Sequence, residues 1–345
     1  MHRSAERILT THTGSLPRPM ELTRLYARRA RGEAVDDSVL EEEGRRALRR
    51  VLPKQLDAGI DIGNNGEQQR EGFFLYLRHR LSGLGGSWQR SPRGDIERYP
   101  IFKEALQSQL AGKEVVSNFT PPKAVGDIRY LDPALVEAEC RDFRAALDEI
   151  ERGFIEPFLT APSPGIVASA VLNEHYASEE AYLAALAAAL KVEYDAIVAN
   201  GFLLQLDCPD LALERHVSYM DKPLGDFLEF VERVVAAINT ALAGIPRERV
   251  RMHVCWGITR GRMTATYHLP RSGRCCGRLK WAASCFLSPI RGMRMRCAAS
   301  KRCRPPRTRS SSPASSIASP ISSSIPKWWP SASSARHRPS AIPNA

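Results

Sequence analysis

From Ile258 to Ala345 the chain has no aspartate and no glutamate. Those residues carry 17 of the 49 Lys and Arg, so the first 257 hold 32 basic residues against all 38 acids. The front is therefore at −6 and the tail at +17, and the overall +11 belongs to the tail alone. A function argued from the overall charge would be argued from the wrong part of the chain. No apolar run reaches the ~18 residues a membrane helix needs, which excludes a membrane span. Met1 to Thr10 lacks the apolar stretch of a secretion signal. Of 8 cysteines only Cys140, Cys208 and Cys255 lie in the front. Three scattered thiols suit a reducing cytosol better than a disulfide framework, so the expected location is cytoplasmic.

The tail is also poor in regular pattern. Ser310-Ser311-Ser312 and Ser322-Ser323-Ser324 are low-complexity runs, and no period of 2 or 3.6 is sustained. Such a composition predicts disorder. A basic arm for nucleic acid is one reading. Its aromatics are only Tyr267, Trp281, Phe286, Trp328 and Trp329. They do not alternate with the arginines as a base-stacking platform requires, which argues against that reading.

The front alternates helix-like and strand-like segments. Between Val39 and Leu56, apolar residues recur at Leu40, Ala47, Leu48, Val51, Leu52 and Leu56, the pattern of an amphipathic helix. It leads through Ala58-Gly59 into the apolar piece Ile60 to Gly63. Ala177 to Asn200 reads as a second helix, with Ser178 as N-cap and Gly201 as its stop. The run Phe202 to Leu206 then ends at Asp207. A third helix spans Phe227 to Leu242, and Val250 to Val254 is strand-like again. Helix, glycine, short apolar strand, then polar residues predicts parallel strands covered by helices. The expected fold is an α/β (β/α)₈ barrel over residues 1–257, incomplete because a basic tail replaces its last part. A doubly wound open sheet is the alternative. In both, ligands sit at the carboxyl ends of the strands.

Three strand ends carry candidate chemistry. His253 and Cys255 are two apart on a strand and so share a face. Imidazole and thiolate are the donors zinc prefers, although two donors alone do not make a zinc site. A core cysteine beside a hydrogen-bonded histidine fits the same spacing. Glu67 and Asp207 each follow an apolar strand, where two carboxylates could grip an ammonium group. A helix cap or a loop ion pair is the alternative for each. Thr11 to Pro19 is a Gly- and Pro-punctuated loop in which His12 and Ser15 could face a ligand. Thr160 to Gly165 reads as a further strand-end loop, with no assigned chemistry.

His12 to Pro19, Gly66-Glu67, Gln205 to Pro209 and His253 to Gly257 occur in that order. Together they resemble the cobalamin-independent methionine synthase family, in a short form similar to its catalytic C-terminal half. The resemblance covers roughly residues 8 to 257. It implies a (β/α)₈ barrel in which zinc activates a thiol, and a methyl group passes from methyltetrahydrofolate to homocysteine. It further implies that His253 and Cys255 are two of the zinc ligands. Glu67 and Asp207 would hold the substrate amino group, and Ser15 would help bind the amino-acid end. Cys208 stands where the full-length enzymes have a second acid, and Asn65 where a histidine precedes the glycine-glutamate pair. A related use of the same parts takes another thiol, such as coenzyme M.

The family's remaining zinc ligands and its proton-shuttling histidine lie downstream, in a region that here is the acid-free tail. The stretches Thr259–Ala265, Ser310–Ile317 and Ile342–Asn344 can each be back-translated, at one common offset, into acid-containing segments typical of the family. The sequence therefore predicts a frameshifted tail, an incomplete zinc site, poor solubility and impaired turnover. Cys275, Cys276, Cys285, Cys297 and Cys303 lack the paired spacing of substitute ligands. The nucleotide sequence across codons 255 to 262 decides the frameshift directly.

Overall fold

The computed structural model describes residues 1–2, 4–90, 96, 99–110, 116, 120–255 and 285–287. All of them lie in one compact unit, Met1–Arg296. The predicted boundary at Gly257, the predicted tail disorder and the substitute-ligand cysteines fall outside these residues, apart from the backbone at 285–287.

The helices are α1 (Met20–Ala30), α2 (Asp37–Asp57), α3 (Pro100–Leu110), α4 (Ala134–Asp148), α5 (Pro164–Ala170), α6 (Glu179–Ala199) and α7 (Leu224–Ala241). The strands are β1 (Leu84–Gly85), β2 (Lys123–Ala124), β3 (Phe158–Pro162), β4 (Leu172–Asn173), β5 (Leu203–Asp207), β6 (Val250–Val254) and β7 (Cys285–Leu287). Helix α2 starts where the Asp36 side chain accepts the Ser38 N–H at 2.9 Å, and it buries Leu40, Ala47, Leu48, Val51, Leu52 and Leu56. Helix α6 starts at the expected cap, with Ser178 Oγ accepting the Ala181 N–H at 3.1 Å. It ends before Gly201, which sits at φ +83°.

Strands β3, β5, β6 and β7 form one sheet in that order, and every pairing is parallel. Parallel neighbours need crossover connections, here supplied by α5 and α6 and then by α7. Two further parallel bridges, Asn64 to Phe158 and Thr11 to Ile62, extend the order toward the N-terminus. The small sheet β1-β2-β4 lies apart from this one in the pairing.

Strand alternation sorts the side chains. Leu204, Leu206, Val250, Met252 and Val254 join the core beneath α6 and α7, with Leu186, Leu190, Ile197, Phe230, Val234 and Ile238. Gln205, Asp207, Arg251 and His253 occupy the alternate positions and face inward. In a flat sheet the Thr11 segment would lie three strand spacings from β5, about 14 Å away. Yet Gln205 Nε2 donates to Thr13 O, and Arg251 Nη2 donates to Thr11 Oγ1 at 3.0 Å. The sheet therefore curls into an arc whose polar side chains meet across its inside. Among the described residues this arc is not a closed ring. The sequence placed Thr160 in a loop. It is instead inside β3, paired with Gln205, and Ser163 caps α5 just beyond.

Candidate functional site

The carboxyl ends of the strands gather the acids. Glu67 lies in the loop after Asn64, with φ +53°, the one positive value among the described non-glycine residues. Such a backbone costs roughly 1 kcal/mol or more and survives where its surroundings impose it. Here the loop is pinned by two asparagines. Asn64 Oδ1 accepts the Gly66 N–H at 2.7 Å, and Asn65 Oδ1 accepts the Glu67 N–H at 3.0 Å. The N-terminal loop zips onto it, as Leu16 N donates to Gly66 O at 3.0 Å.

Glu67 is 1% exposed. Ser15 donates to its Oε2, and Thr160 Oγ1 donates to its Oε1 at 2.8 Å. Gly14 packs so closely that a Cβ there would lie 2.6 Å from Oε1, so a larger residue would displace the acid. Burial, and then the charge of Asp207, push the Glu67 carboxyl above its ordinary range, against Arg70 and the Ser15 and Thr160 hydroxyls.

Asp207 ends β5, and Gln205 Nε2 donates to its Oδ1 at 2.8 Å. His253 Nδ1 faces the same oxygen at 3.1 Å from the neighbouring strand. Burial lowers the proton affinity of this ring, but hydrogen bonds to Asp207 and Cys255 outweigh it and push the group up to about 9. The other nitrogen, Nε2, is buried and has no hydrogen bond of ordinary geometry. A carboxylate behind one ring nitrogen with the second left open is how metal-binding histidines are held. His253 Nε2 and Cys255 are thus two donors on one face. Among the described residues, however, no group of three or more His, Cys, Asp or Glu could hold a metal. Zinc takes three or four protein donors. The described residues therefore do not fit a zinc site.

The structure brings Ser15 to Glu67 and Asp207 to His253, and places both acids within each other's field. It does not bring His12 to them. The His12 ring pairs instead with Gln55 Oε1 of α2 at 2.7 Å and packs on Phe158. Four residues missed in the sequence complete the site: Thr160, Gln205, Arg251 and Asn65. The same two-residue step that pairs His253 with Cys255, taken backward from His253 and from Asp207, would have found Arg251 and Gln205. A cleft of about 470 Å³ opens elsewhere, lined by Asp37, Arg45, Glu71, His79 and Asp142 among others, and includes none of the acids or donors above. No described helix is long and apolar enough to cross a membrane.

Comparison with known proteins finds relatives over about 72% of the chain. The methionine synthase of Sulfurisphaera tokodaii is 26% identical over 249 residues, 72% of this chain and 61% of that protein. The chain's curated relatives are methionine synthases. That of Sulfolobus acidocaldarius is 25% identical over the same length, with the same shares covered. The 5-methyltetrahydropteroyltriglutamate–homocysteine methyltransferase of Streptomyces griseus is 24% identical over 249 residues, 72% of this chain and 28% of its own. The chain thus spans about three fifths of the archaeal methionine synthases it matches. Among solved structures, a B12-independent methionine synthase from Shewanella, in complex with selenomethionine, superposes with a TM-score of 0.49 at 20% identity. The match covers 71% of this chain and 60% of that one. No family model matches.

Proposed function

We propose that the chain binds the amino-acid end of homocysteine or methionine through Glu67, Asp207 and Ser15. We further propose that it descends from enzymes that move a methyl group from a methyltetrahydrofolate-type donor to that thiol. The observation that carries this reading is Glu67, a buried acid with no ion-pair partner among the described residues, in the field of a second buried acid. A carboxyl raised by burial and by a neighbouring carboxylate is relieved by an incoming ammonium group, which supplies the missing countercharge. Ser15 and Thr160 aim the two Glu67 oxygens, and Gln205 and His253 aim Asp207. The curled arc of parallel strands is, on this reading, part of a (β/α)₈ barrel, with its ligands at the carboxyl ends.

The same acids argue against coenzyme M, because Glu67 would repel its sulfonate and the one basic ring at Asp207, His253, is already paired with that acid. An amino-acid thiol fits the charge, so the amino-acid reading stands first. Zinc chemistry is what the family resemblance implies, with His253 and Cys255 as donors. The described residues supply two donors where zinc takes three or four, so this copy is read as impaired.

The test is calorimetry on the purified full chain with L-methionine, L-homocysteine and coenzyme M, together with a zinc assay and a methyl-transfer assay. The amino acids are expected to bind and coenzyme M is not, with zinc below one per chain and little or no turnover. Preference for coenzyme M would overturn the ligand assignment. Stoichiometric zinc with turnover would overturn the impairment.

A further inference from the structure

Beneath the acids, Arg251 is unused by the ligand reading, and it holds the Gln205 side chain that reaches Asp207. Arg251 is 1% exposed, and its guanidinium lies over the Phe158 ring, 3.7 Å from the centroid. Its Nε donates to Gln205 Oε1 at 2.8 Å, and its Nη2 donates to Thr11 Oγ1 at 3.0 Å and His12 O at 3.2 Å. A guanidinium only donates, so it settles which end of the Gln205 amide faces it. Oε1 must point at Arg251 and Nε2 must point away. Nε2 then donates to Asp207 Oδ1 and to Thr13 O. A flipped amide would set its oxygen against a carboxylate and a carbonyl, and its N–H groups against a cation.

The consequence falls on Asp207. Both of its donors, Gln205 Nε2 and His253 Nδ1, converge on Oδ1. Among the described residues, Oδ2 receives no hydrogen bond and is the oxygen left for a ligand. The same pair also ties down Thr11, His12 and Thr13, the residues leading into Gly14 and Ser15 at Glu67. One buried relay thus sets both acids.

We propose that Arg251 and Gln205 are positioning residues that fix which Asp207 oxygen meets the ligand's amino group, and so set the preference for an α-amino ligand. This rests on the ligand reading above. The test compares L-methionine with its deamino analogue, methylthiobutanoate, by calorimetry on the full chain. The unsubstituted chain is expected to prefer L-methionine. Gln205→Leu should reduce that preference about ten-fold, the size of one lost hydrogen bond to a charged group. Arg251→Lys keeps the charge, but one ammonium cannot reach Gln205, Thr11 and His12 together, so a loss of about three-fold is expected. Circular dichroism monitors folding, and if Gln205→Leu does not fold, Arg251→Lys carries the readout. Variants that weaken both ligands equally, with the preference unchanged, would show a merely structural relay and overturn the proposal. A parent chain with no preference for L-methionine would instead overturn the ligand reading, and the relay's role with it.

Discussion

Two buried charged clusters lie side by side in this molecule, and they are built on opposite rules. In one, Arg70 and Arg80 face Glu139 and Glu193. Arg70 Nε donates to Glu139 Oε1 at 2.8 Å, and Arg80 reaches Glu139 Oε2 at 2.7 Å and Glu193 Oε2 at 3.0 Å. Tyr76 sits between both guanidiniums, 4.4 and 4.6 Å from its ring, and Tyr130 also donates to Glu193. Two cations meet two anions and hydroxyls fill the rest. Burial alone would raise Glu139, but Arg70 and Arg80 hold it down to about 2. In the other cluster, Glu67 meets only hydroxyls and Asp207 lies nearby. The first cluster is closed and acts as a strut between α4, α6 and the Glu67 loop. In the second, Asp207 is paired with His253, while Glu67 has no ion-pair partner among the described residues.

The two are joined. Thr160 Oγ1 accepts from Arg70 at 3.2 Å and donates to Glu67. Asn65 donates to Glu139 Oε1 at 2.7 Å while its own Oδ1 holds the Glu67 N–H. Asn65 is thus a hinge pin between strut and site. A satisfied buried network can carry an unsatisfied one, because it removes the freedom the open acid would use to find water.

The sharpest way to break the comparison is Arg80→Met. It strands Glu139 and Glu193 without one of their cations, and a loss of roughly 3–5 kcal/mol in urea unfolding is expected. A loss below about 1 kcal/mol would mean the strut is not one. Asp210 provides an intermediate case. It is buried, accepts from Ser163 Oγ at 2.7 Å, and lies where a Cβ on Gly165 would fall. Burial pushes its carboxyl up to about 7 despite that hydrogen bond. An unfolded aspartate titrates near 3.9, so the folded state holds its proton longer. Stability is then fully present below about pH 4 and falls as pH rises to about 7. Asp210→Asn should remove that slope, so the variant gains on the parent by up to about 4 kcal/mol between pH 4 and 8. Parallel stability curves for the two would refute it.

Glu67→Gln tests the open cluster from the other side. It removes a buried acid that has no ion-pair partner among the described residues, so stability should hold or rise, while L-methionine binding drops about 100-fold by calorimetry. Destabilisation comparable with Arg80→Met would place Glu67 in the strut instead. Ser15→Ala gives the smallest effect. Loss of one hydroxyl to Glu67 should weaken L-methionine about five-fold without moving the unfolding midpoint by much.

Much of this was legible in one dimension. The three helices read from the sequence are present within a few residues as α2, α6 and α7: α2 declares itself by its apolar face, and α6 by its Ser178 cap and Gly201 stop. Strand β5 was legible as a short apolar run between Gly201 and Asp207, and β6 as alternating apolar residues Val250, Met252 and Val254. The piece Ile60 to Gly63 was not fully a strand. It makes a bridge at Ile62, and its backbone is otherwise bonded to Gln55, Thr10, Ile155 and Phe158. Thr160 was misread because proline and glycine at 162–165 announce a turn, whereas here Pro162 ends a strand and Pro164 begins a helix. The acids Glu67 and Asp207 were legible as strand-end residues. Their mutual field was not, since it depends on two loops 140 residues apart arriving at one place.

The sequence by itself determined the split in charge between front and tail, the helix-strand alternation, and the step of two that puts His253 and Cys255 on one face. These are local properties, set by composition and by period. Only the tertiary structure decided which acids are paired and which are left open. It also decided that Gln205 and Arg251 reach across the arc to the N-terminal loop, and that His12 turns to Gln55. Those outcomes depend on sheet curvature and on competition among buried donors and acceptors. Neither can be summed from residues taken one at a time.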